Sequence, residues 1–362
     1  MYKSSILKTK IFTLLRICAV FLTLTAFSIP AFSQEEHAEG AEKKFEPSEV
    51  ILEHIADSHS LHIIGHTHLP LPVIIYTDKG LEIFSSARLA HEAGEHETEA
   101  GIYKGNYNYK LVNDKVKIVN ETGEIDEAAT GKLYDFSITR NVVSMWMSIA
   151  FLLIIFLSVS SAYKKRQGKA PKGLQSFIEP IILFVRDDIA RPNIGYKYQR
   201  FMPLLLTVFF FIWINNLIGL VPFFPGGSNL TGNIAVTLVL SVITLLVVNL
   251  NGNKHYWQHV FVPGDVPVWI WPLWWVIELV GIISKPFALM IRLFANITAG
   301  HIIVLSLISL IFVFKSFAIA PVSVAFVVFM DVLELLVAAL QAFIFTLLTA
   351  LFIGTAIEEH HH

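Results

Sequence analysis

From residue 268 to residue 314 the chain is apolar, interrupted only by Pro272, Pro286, a few glycines and three charged side chains. As one helix, such a run would be about 70 Å long at ~1.5 Å per residue. An upright crossing of a bilayer needs only about 20 residues. The stretch therefore has to tilt strongly, kink near Pro286, or split in two. Residues 322–357 pose the same problem, so two neighbouring helices are both too long to stand upright. The chain has 362 residues, 54% of them hydrophobic and only 15% charged. That is a membrane protein's composition, not an ordinary soluble domain's.

The other segments are shorter. Residues 142–162 are long enough to span a ~30 Å hydrocarbon core. Lys164, Lys165, Arg166, Lys169 and Lys172 follow at once, which marks that flank as cytoplasmic by the positive-inside rule. Residues 173–189 mix Phe177, Ile181, Ile182, Phe184 and Val185 with Glu179, Arg186 and Asp187. They read as an amphipathic helix on the cytoplasmic surface. Residues 200–221 and 233–248 form two further spans, joined by a loop opening on Pro222-Phe223-Phe224-Pro225 that carries no Lys or Arg. Trp257, Trp269, Trp271, Trp274 and Trp275 cluster as an interfacial aromatic belt does.

The amino-terminal third is different. Lys3, Lys8, Lys10 and Arg16 lead into an apolar stretch that ends near Pro30, and Ala31-Phe32-Ser33 fits a signal-peptidase site. Residues 34–135 are polar, and 1–33 as a signal peptide would place them outside the cytoplasmic membrane, in agreement with the basic flank. Leu61-His62-Ile63-Ile64 and Val73-Ile74-Ile75-Tyr76 read as short strands, with a turn at Asp78-Lys79-Gly80. Residues 107–112 and 115–119 alternate with period two around Asn113-Asp114, which predicts a hairpin. Residues 92–99 read as a flexible Glu/His stretch.

His59, His62, His66 and His68, with His54 and Asp57 close by, are weak candidates for a metal site. Their spacing matches no closed zinc pattern, and no thiolate accompanies them. Exposed polar residues of a small domain are the plainer reading. Cys18 is the single cysteine, which excludes an intrachain disulfide and a thiol pair. The net charge of −2 points to no nucleic-acid partner. No P-loop or glycine-rich fingerprint is present, so no nucleotide binding and no cofactor are expected.

The deep polar groups are the functional candidates. Arg292 follows five apolar residues and precedes three. A charge at bilayer depth costs about 2.5–3.5 kcal/mol on insertion scales, and nothing adjacent neutralises this one. Arg292 and Asn296 stand at i and i+4 on one helical face, and Glu278 precedes them by about four turns near the same side. Glu334 and Gln341 are two turns apart on the last helix, which also carries Asp331. His301 can charge near neutral pH. Titratable groups turned inward between helices build proton paths.

Arg292-Leu293-Phe294-Ala295-Asn296-Ile297-Thr298-Ala299-Gly300-His301 resembles the signature of subunit a of rotary ATP synthases. Ser284-Lys285-Pro286, Asn216-Leu217-Ile218-Gly219-Leu220-Val221-Pro222, Leu340-Gln341-Ala342-Phe343-Ile344-Phe345 and the ending Glu358-Glu359-His360 fit it too, so the resemblance covers roughly 140–360. It implies the ion-translocating stator, which works against a rotating ring of c subunits alongside subunit b and the peripheral stalk. No covalent step belongs to this chain alone. The resemblance gives Arg292 the role of facing the ring carboxylate. His301 and Glu334 would relay protons in the half-channel open to the outside, with the usual residue types at these two positions exchanged. Asn296 and Gln341 would neighbour that path, and Glu278 would belong to the half-channel facing the cytoplasm. The alternative is a self-contained proton-coupled secondary transporter, although no internal repeat is visible.

The expected fold is an all-α polytopic membrane protein with about five membrane helices, a cytoplasmic amphipathic helix and a small β-rich extracytoplasmic domain at the amino terminus. Its parts are the signal peptide at 1–33, the β-rich domain at 34–135, the first membrane helix and basic flank at 136–172, and the amphipathic helix at 173–192. A membrane helix pair at 199–251 and a long tilted hairpin at 267–357 complete it. The expected location is a bacterial inner membrane, with the carboxyl terminus cytoplasmic.

Overall fold

The computed structural model describes residues 57–64, 67–89, 101–112, 114–221, 228–262, 267–314 and 319–358. The expected signal peptide, Cys18, the stretch at 92–99 and the Pro-rich loop at 222–227 lie outside the described residues.

The amino-terminal domain is built from short strands. β1 (Ser60–Ile64) pairs antiparallel with β2 (Thr67–Pro70), placing His62 opposite His68. β3 (Pro72–Thr77) and β4 (Gly80–Ser85) form a hairpin around Asp78-Lys79, where Gly80 takes a φ of 119° that favours glycine. β5 (Tyr103–Lys104), β6 (Asn108–Val112) and β7 (Lys115–Val119) make a second sheet, and Asp114 turns the β6–β7 hairpin in the left-handed region at φ 58°. β8 (Tyr134–Asp135) adds to the free edge of β3, so the first large sheet has the order β4-β3-β8. Alternation puts Val73, Ile75 and Phe84 on one inner face and Tyr109, Val116 and Ile118 on the other, and these pack together as a small sandwich core. The Tyr109 hydroxyl donates to Glu82. Burial, and after it this bond, hold the phenol above its ordinary pKa.

This domain is locked to the first membrane helix, α1 (Arg140–Lys165). The β3–β8 pairing continues beyond the named strand, through Phe136 N to Ile74 O at 2.9 Å and Ile138 N to Pro72 O at 3.1 Å. Asp57 then accepts from the Thr139 hydroxyl at 2.8 Å and from Asn141 N at 3.0 Å. A helix start leaves backbone donors unpaired and favours a negative charge nearby, and Asp57 meets both needs.

The amphipathic helix expected at 173–192 is α2 (Leu174–Phe184), and its buried face differs from the one the apolar residues outlined. Gln175 and Ile178, then Val185, Ile189 and Ala190, turn inward, whereas Phe177 and Phe184 turn outward. A π-helical stretch, Val185–Ala190, follows α2. Its wider turn shifts the helical phase, which a strict 3.6-residue reading does not anticipate. One further turn, Arg191–Ile194, leads into α3 (Tyr198–Gly219).

α4 (Ile234–Leu250) and α5 (Lys254–Phe261) are bent by 100° relative to each other. α6 (Trp271–Phe314) has 44 residues and α7 (Ala320–Ile357) has 38. Among the described residues, four helical stretches are long and apolar enough to cross a membrane, or five if the bent α4–α5 pair counts as one span. Of the three options for 268–314, the split is ruled out: α6 continues as one helix through Pro286, so tilt or a bend at the proline has to absorb its length.

α7 is the central packing element, with α3 and α6 against it. Phe201, Leu205, Val208 and Phe209 of α3 share the main core with Ala342, Phe345, Ala350 and Ile353 of α7. α4 offers Thr237, Ser241 and Thr244 on its buried face, at i, i+4 and i+7, and such small hydroxyl side chains let membrane helices approach closely. The α6–α7 hairpin is pinned at one end by the Ser323 hydroxyl on the Leu307 carbonyl. At the other end of α7, Asn253 bonds Ala356 O through its backbone N at 2.8 Å and Ile357 O through its side chain at 2.6 Å.

Candidate functional site

The α6–α7 hairpin carries every polar group singled out in the membrane part. It brings two of them together. His301 Nδ1 of α6 lies 3.7 Å from Glu334 Oε1 of α7, and Glu334 is 5% exposed. The approach depends on Gly300, because a Cβ there would stand 2.7 Å from Glu334 Oε1 and 2.9 Å from its Cδ. With no side chain at 300, the carboxylate lies directly on the α6 backbone. On its other side His301 reaches α3, where a Cβ on Gly219 would lie 4.0 Å from His301 Nε2 and 3.4 Å from the Ser228 carbonyl. A 3.7 Å gap is too long for a hydrogen bond, and Glu334 Oε1 has no hydrogen-bond partner among the described residues. Such a pair can exchange a proton through a bridging water or after a small movement.

A hydrogen-bonded brace holds the surroundings. Buried Asn216 of α3 donates to Ala338 O at 3.3 Å, one turn beyond Glu334 on α7. The Thr231 hydroxyl donates to Asn216 Oδ1 at 2.6 Å. The brace fixes α3 and the turn before α4 against α7 at the level of the acid. Ser228 Oγ, Thr298 Oγ1 and Asn215 Oδ1 are buried without a bonding partner among the described residues. Buried polar atoms in that condition are where water sits in folded proteins.

Arg292 and Asn296 share a face, as their spacing predicts, and both are exposed. Leu289, Leu293 and Ile297 occupy the buried face, and this stripe turns the Arg292 stripe outward. Arg292 makes no hydrogen bond or ion pair with any described residue. Gln341 is buried on α7 at 2% exposure. Glu278 is half-buried and acts electrostatically on Tyr256 of α5. It stands 14 residues before Arg292 on α6, about 21 Å along the axis, so the two do not touch. A small cleft lies near it between α4, α5, α6 and α7, where Thr244, Asn249, Tyr256, Lys285 and Thr355 stand among apolar side chains. Tyr256 donates to Asn249 Oδ1 at 3.1 Å.

Sequence reasoning missed several members of the site. Asn216 lies in a quoted motif, but nothing in its apolar setting separates a brace from a lone polar residue. Gly300 reads as one more glycine beside a histidine. Asp331 is visible as a charge at depth, and it stands half-buried one turn before Glu334. The cleft around Lys285 and Tyr256 joins four helices and has no sequence signature.

In the amino-terminal domain, His59 is buried with Nε2 3.7 Å from Asp135 Oδ2. Burial by itself would raise the Asp135 pKa, but His59 and Ser137 outweigh it and hold the carboxyl below its usual range. Asp57, one of the groups near the histidines, is the cap of α1. No cluster of three metal-ligating side chains occurs among the described residues. His54, His66 and the side chains of His62 and His68 lie outside them.

Residues 142–354 match the family model described as ATP synthase A chain, and residues 50–136 match a domain of unknown function. A Chloroherpeton thalassium protein named ATP synthase subunit a is 50% identical, over 63% of this chain and 69% of its own length. A Prosthecochloris aestuarii protein named ATP synthase subunit a 2 is 42% identical, over 75% of this chain and 84% of its own. The matched residues include the whole of the site just described, from Asn216 to Gln341, and the chain belongs to the ATP synthase A chain family.

Proposed function

We propose that this chain is the proton-translocating stator of a rotary ATP synthase and that Arg292 is the group that meets the ring carboxylate. One observation carries the assignment of roles: an arginine on the exposed face of α6, without a partner among the described residues, placed between two polar regions along the same hairpin. The His301–Glu334 pair lies nine residues beyond Arg292, about 13 Å along the helix, and Lys285 of the small cleft lies seven residues before it, about 10 Å. A fixed cation within about 4–6 Å favours the ionised form of a carboxylate. A ring carboxylate arriving at Arg292 gives up its proton there and cannot carry it straight across.

The two polar regions then serve as offset half-channels. The basic run after α1 makes that end cytoplasmic, so α6 runs outward and α7 returns inward. His301 and Glu334, with Asn296 and Gln341 near their path, face the outside. Glu278 and the Lys285–Tyr256 cleft face the cytoplasm. The β-rich domain stands outside, and the carboxyl terminus is cytoplasmic. A proton entering at one region reaches the other only by riding the ring, and each charge crossing 100 mV contributes about 2.3 kcal/mol to rotation. The c-ring, subunit b and the peripheral stalk are the protein partners. Family membership gives no support to a self-contained secondary transporter.

Replacement Arg292→Ala tests the assignment. ATP-driven proton pumping in inverted vesicles should be lost while the complex still assembles. Pumping at the normal rate would overturn the role given to Arg292.

A further inference from the structure

The outer face of the β4-β3-β8 sheet is apolar at nearly every position. The inner face is set by buried Val73, Ile75 and Phe84, so Ile74, Tyr76, Leu81 and Ile83 point the other way. Register places Ile74 opposite Ile83, and Tyr76 between Leu81 and Tyr134. Phe136 continues the β8 edge beside Ile74. Tyr76, Leu81, Ile83, Tyr134 and Phe136 are each 51–65% exposed. Among the described residues, no charged side chain of these strands interrupts this face. An apolar surface of this extent on a small domain marks a contact site.

The opposite side of the sandwich differs. Buried Tyr109, Val116 and Ile118 fix the inner face of the second sheet, which puts Lys104, Lys110, Lys115 and Lys117 on its outer face, with Lys110 directly opposite Lys117. Like charges set face to face repel unless they are hydrated, so the lysine side is the solvated one. The two outer faces are back to back, and the domain as a whole is amphipathic.

What covers the apolar side follows from its continuity with the membrane helix. Hydrogen bonds from the β8 extension run without a break through Phe136 and Ile138 to Arg140, the first residue of α1. Phe136 is four residues from Arg140, a reach of at most about 14 Å. Asp57 clamps the junction, so the sheet is held close to the start of the span. Within two turns α1 exposes Trp146 and then Ile149, Phe151 and Leu153, the surface it presents to lipid. Two tyrosines, a phenylalanine and aliphatic side chains without charge are the composition found at the headgroup boundary. We infer that this sheet face is a membrane-docking surface, laid on the headgroup–acyl boundary of the leaflet that α1 enters.

Spin labels in the complete complex test this. With Cys18 replaced by serine, Ile83→Cys and separately Leu81→Cys would carry the nitroxide, and Lys117→Cys would report the opposite face. The complex is reconstituted in vesicles of phosphatidylethanolamine and phosphatidylglycerol. Docking predicts labels at 81 and 83 that collide freely with oxygen and several-fold less than the label at 117 with a water-soluble nickel chelate. Protection from both probes at 81 and 83 would mean a protein cover and overturn the inference. Free nickel access there, or protection at 117 instead, would overturn it as well. The two apolar positions serve as independent readings should one variant fail to assemble.

Discussion

Replacing Gly300 with alanine probes the His301–Glu334 pair without touching either side chain. The new Cβ would stand 2.7 Å from Glu334 Oε1, and ordinary contact begins at 3.4 Å, so the carboxylate has to retreat by about 0.7 Å. Its Cδ and Cγ, at 2.9 and 3.3 Å, are crowded too, so turning the carboxylate alone gives no relief. The His301–Glu334 gap is already 3.7 Å, and any retreat away from the α6 backbone disturbs it. Misplacement of a reacting group by an ångström costs up to about a hundredfold in rate. Proton pumping in inverted vesicles should therefore fall roughly tenfold to a hundredfold. Helix stability works the other way, since alanine in place of glycine contributes roughly 0.5–1 kcal/mol. That gain offsets part of an overpacking cost of about 1–3 kcal/mol, so the variant should still assemble and be recovered with the complex. Wild-type pumping by Gly300→Ala would refute the claim that the acid must lie on the α6 backbone to work.

Two further outcomes follow from other contacts. Asn216→Leu removes the brace and leaves the Thr231 hydroxyl and one bond of the Ala338 carbonyl unmet, at about 1–3 kcal/mol for each buried group; the purified complex should melt earlier and pump more slowly, and an unchanged melting curve would show the brace to be idle. Asp135 has a folded pKa below its unfolded value of about 4, so its stabilising contribution is full above that pH and is lost as pH falls through the folded value; Asp135→Asn should flatten the onset of pepsin cleavage within residues 101–135 on acidification, and identical acid profiles would remove the His59–Asp135 pair from the domain's stability.

Period two, turn residues and hydropathy made most of the architecture legible. The strand β3 with its turn at Asp78-Lys79-Gly80 and the β6–β7 hairpin lie where alternation and turn chemistry put them, and the two overlong helices are present at nearly the expected bounds. What escaped had no local cause. The π-helical stretch Val185–Ala190 after α2 shifts the phase of the residues that follow, and one-dimensional periodicity has no term for an inserted residue. Asn216 and Ala338 meet across 122 positions of sequence, so only packing reveals the brace. Asp57 stood among histidines as a possible ligand and serves instead as a helix cap, a role settled by where α1 begins. The His301–Glu334 pairing was accessible only through the resemblance, which set the two residues in one path.

Arg292 gains its meaning from what the rest of α6 does. Leu289, Leu293 and Ile297 are buried, with exposures of 1%, 0% and 3%, and their i, i+4, i+8 spacing forms a continuous seam. Turning that seam inward obliges Arg292 and Asn296 to face away from the chain's own helices. Glu334 of α7 is held against Gly300, eight residues beyond Arg292 on α6 and about 12 Å further along its axis. On the role proposed for Arg292, an arginine on this outward face is open to a carboxylate that comes from outside the chain. If it were paired within the chain, its charge would be spent before the ring arrived. On that proposed role, geometry that looks costly for one subunit is what an interface with a moving partner would use.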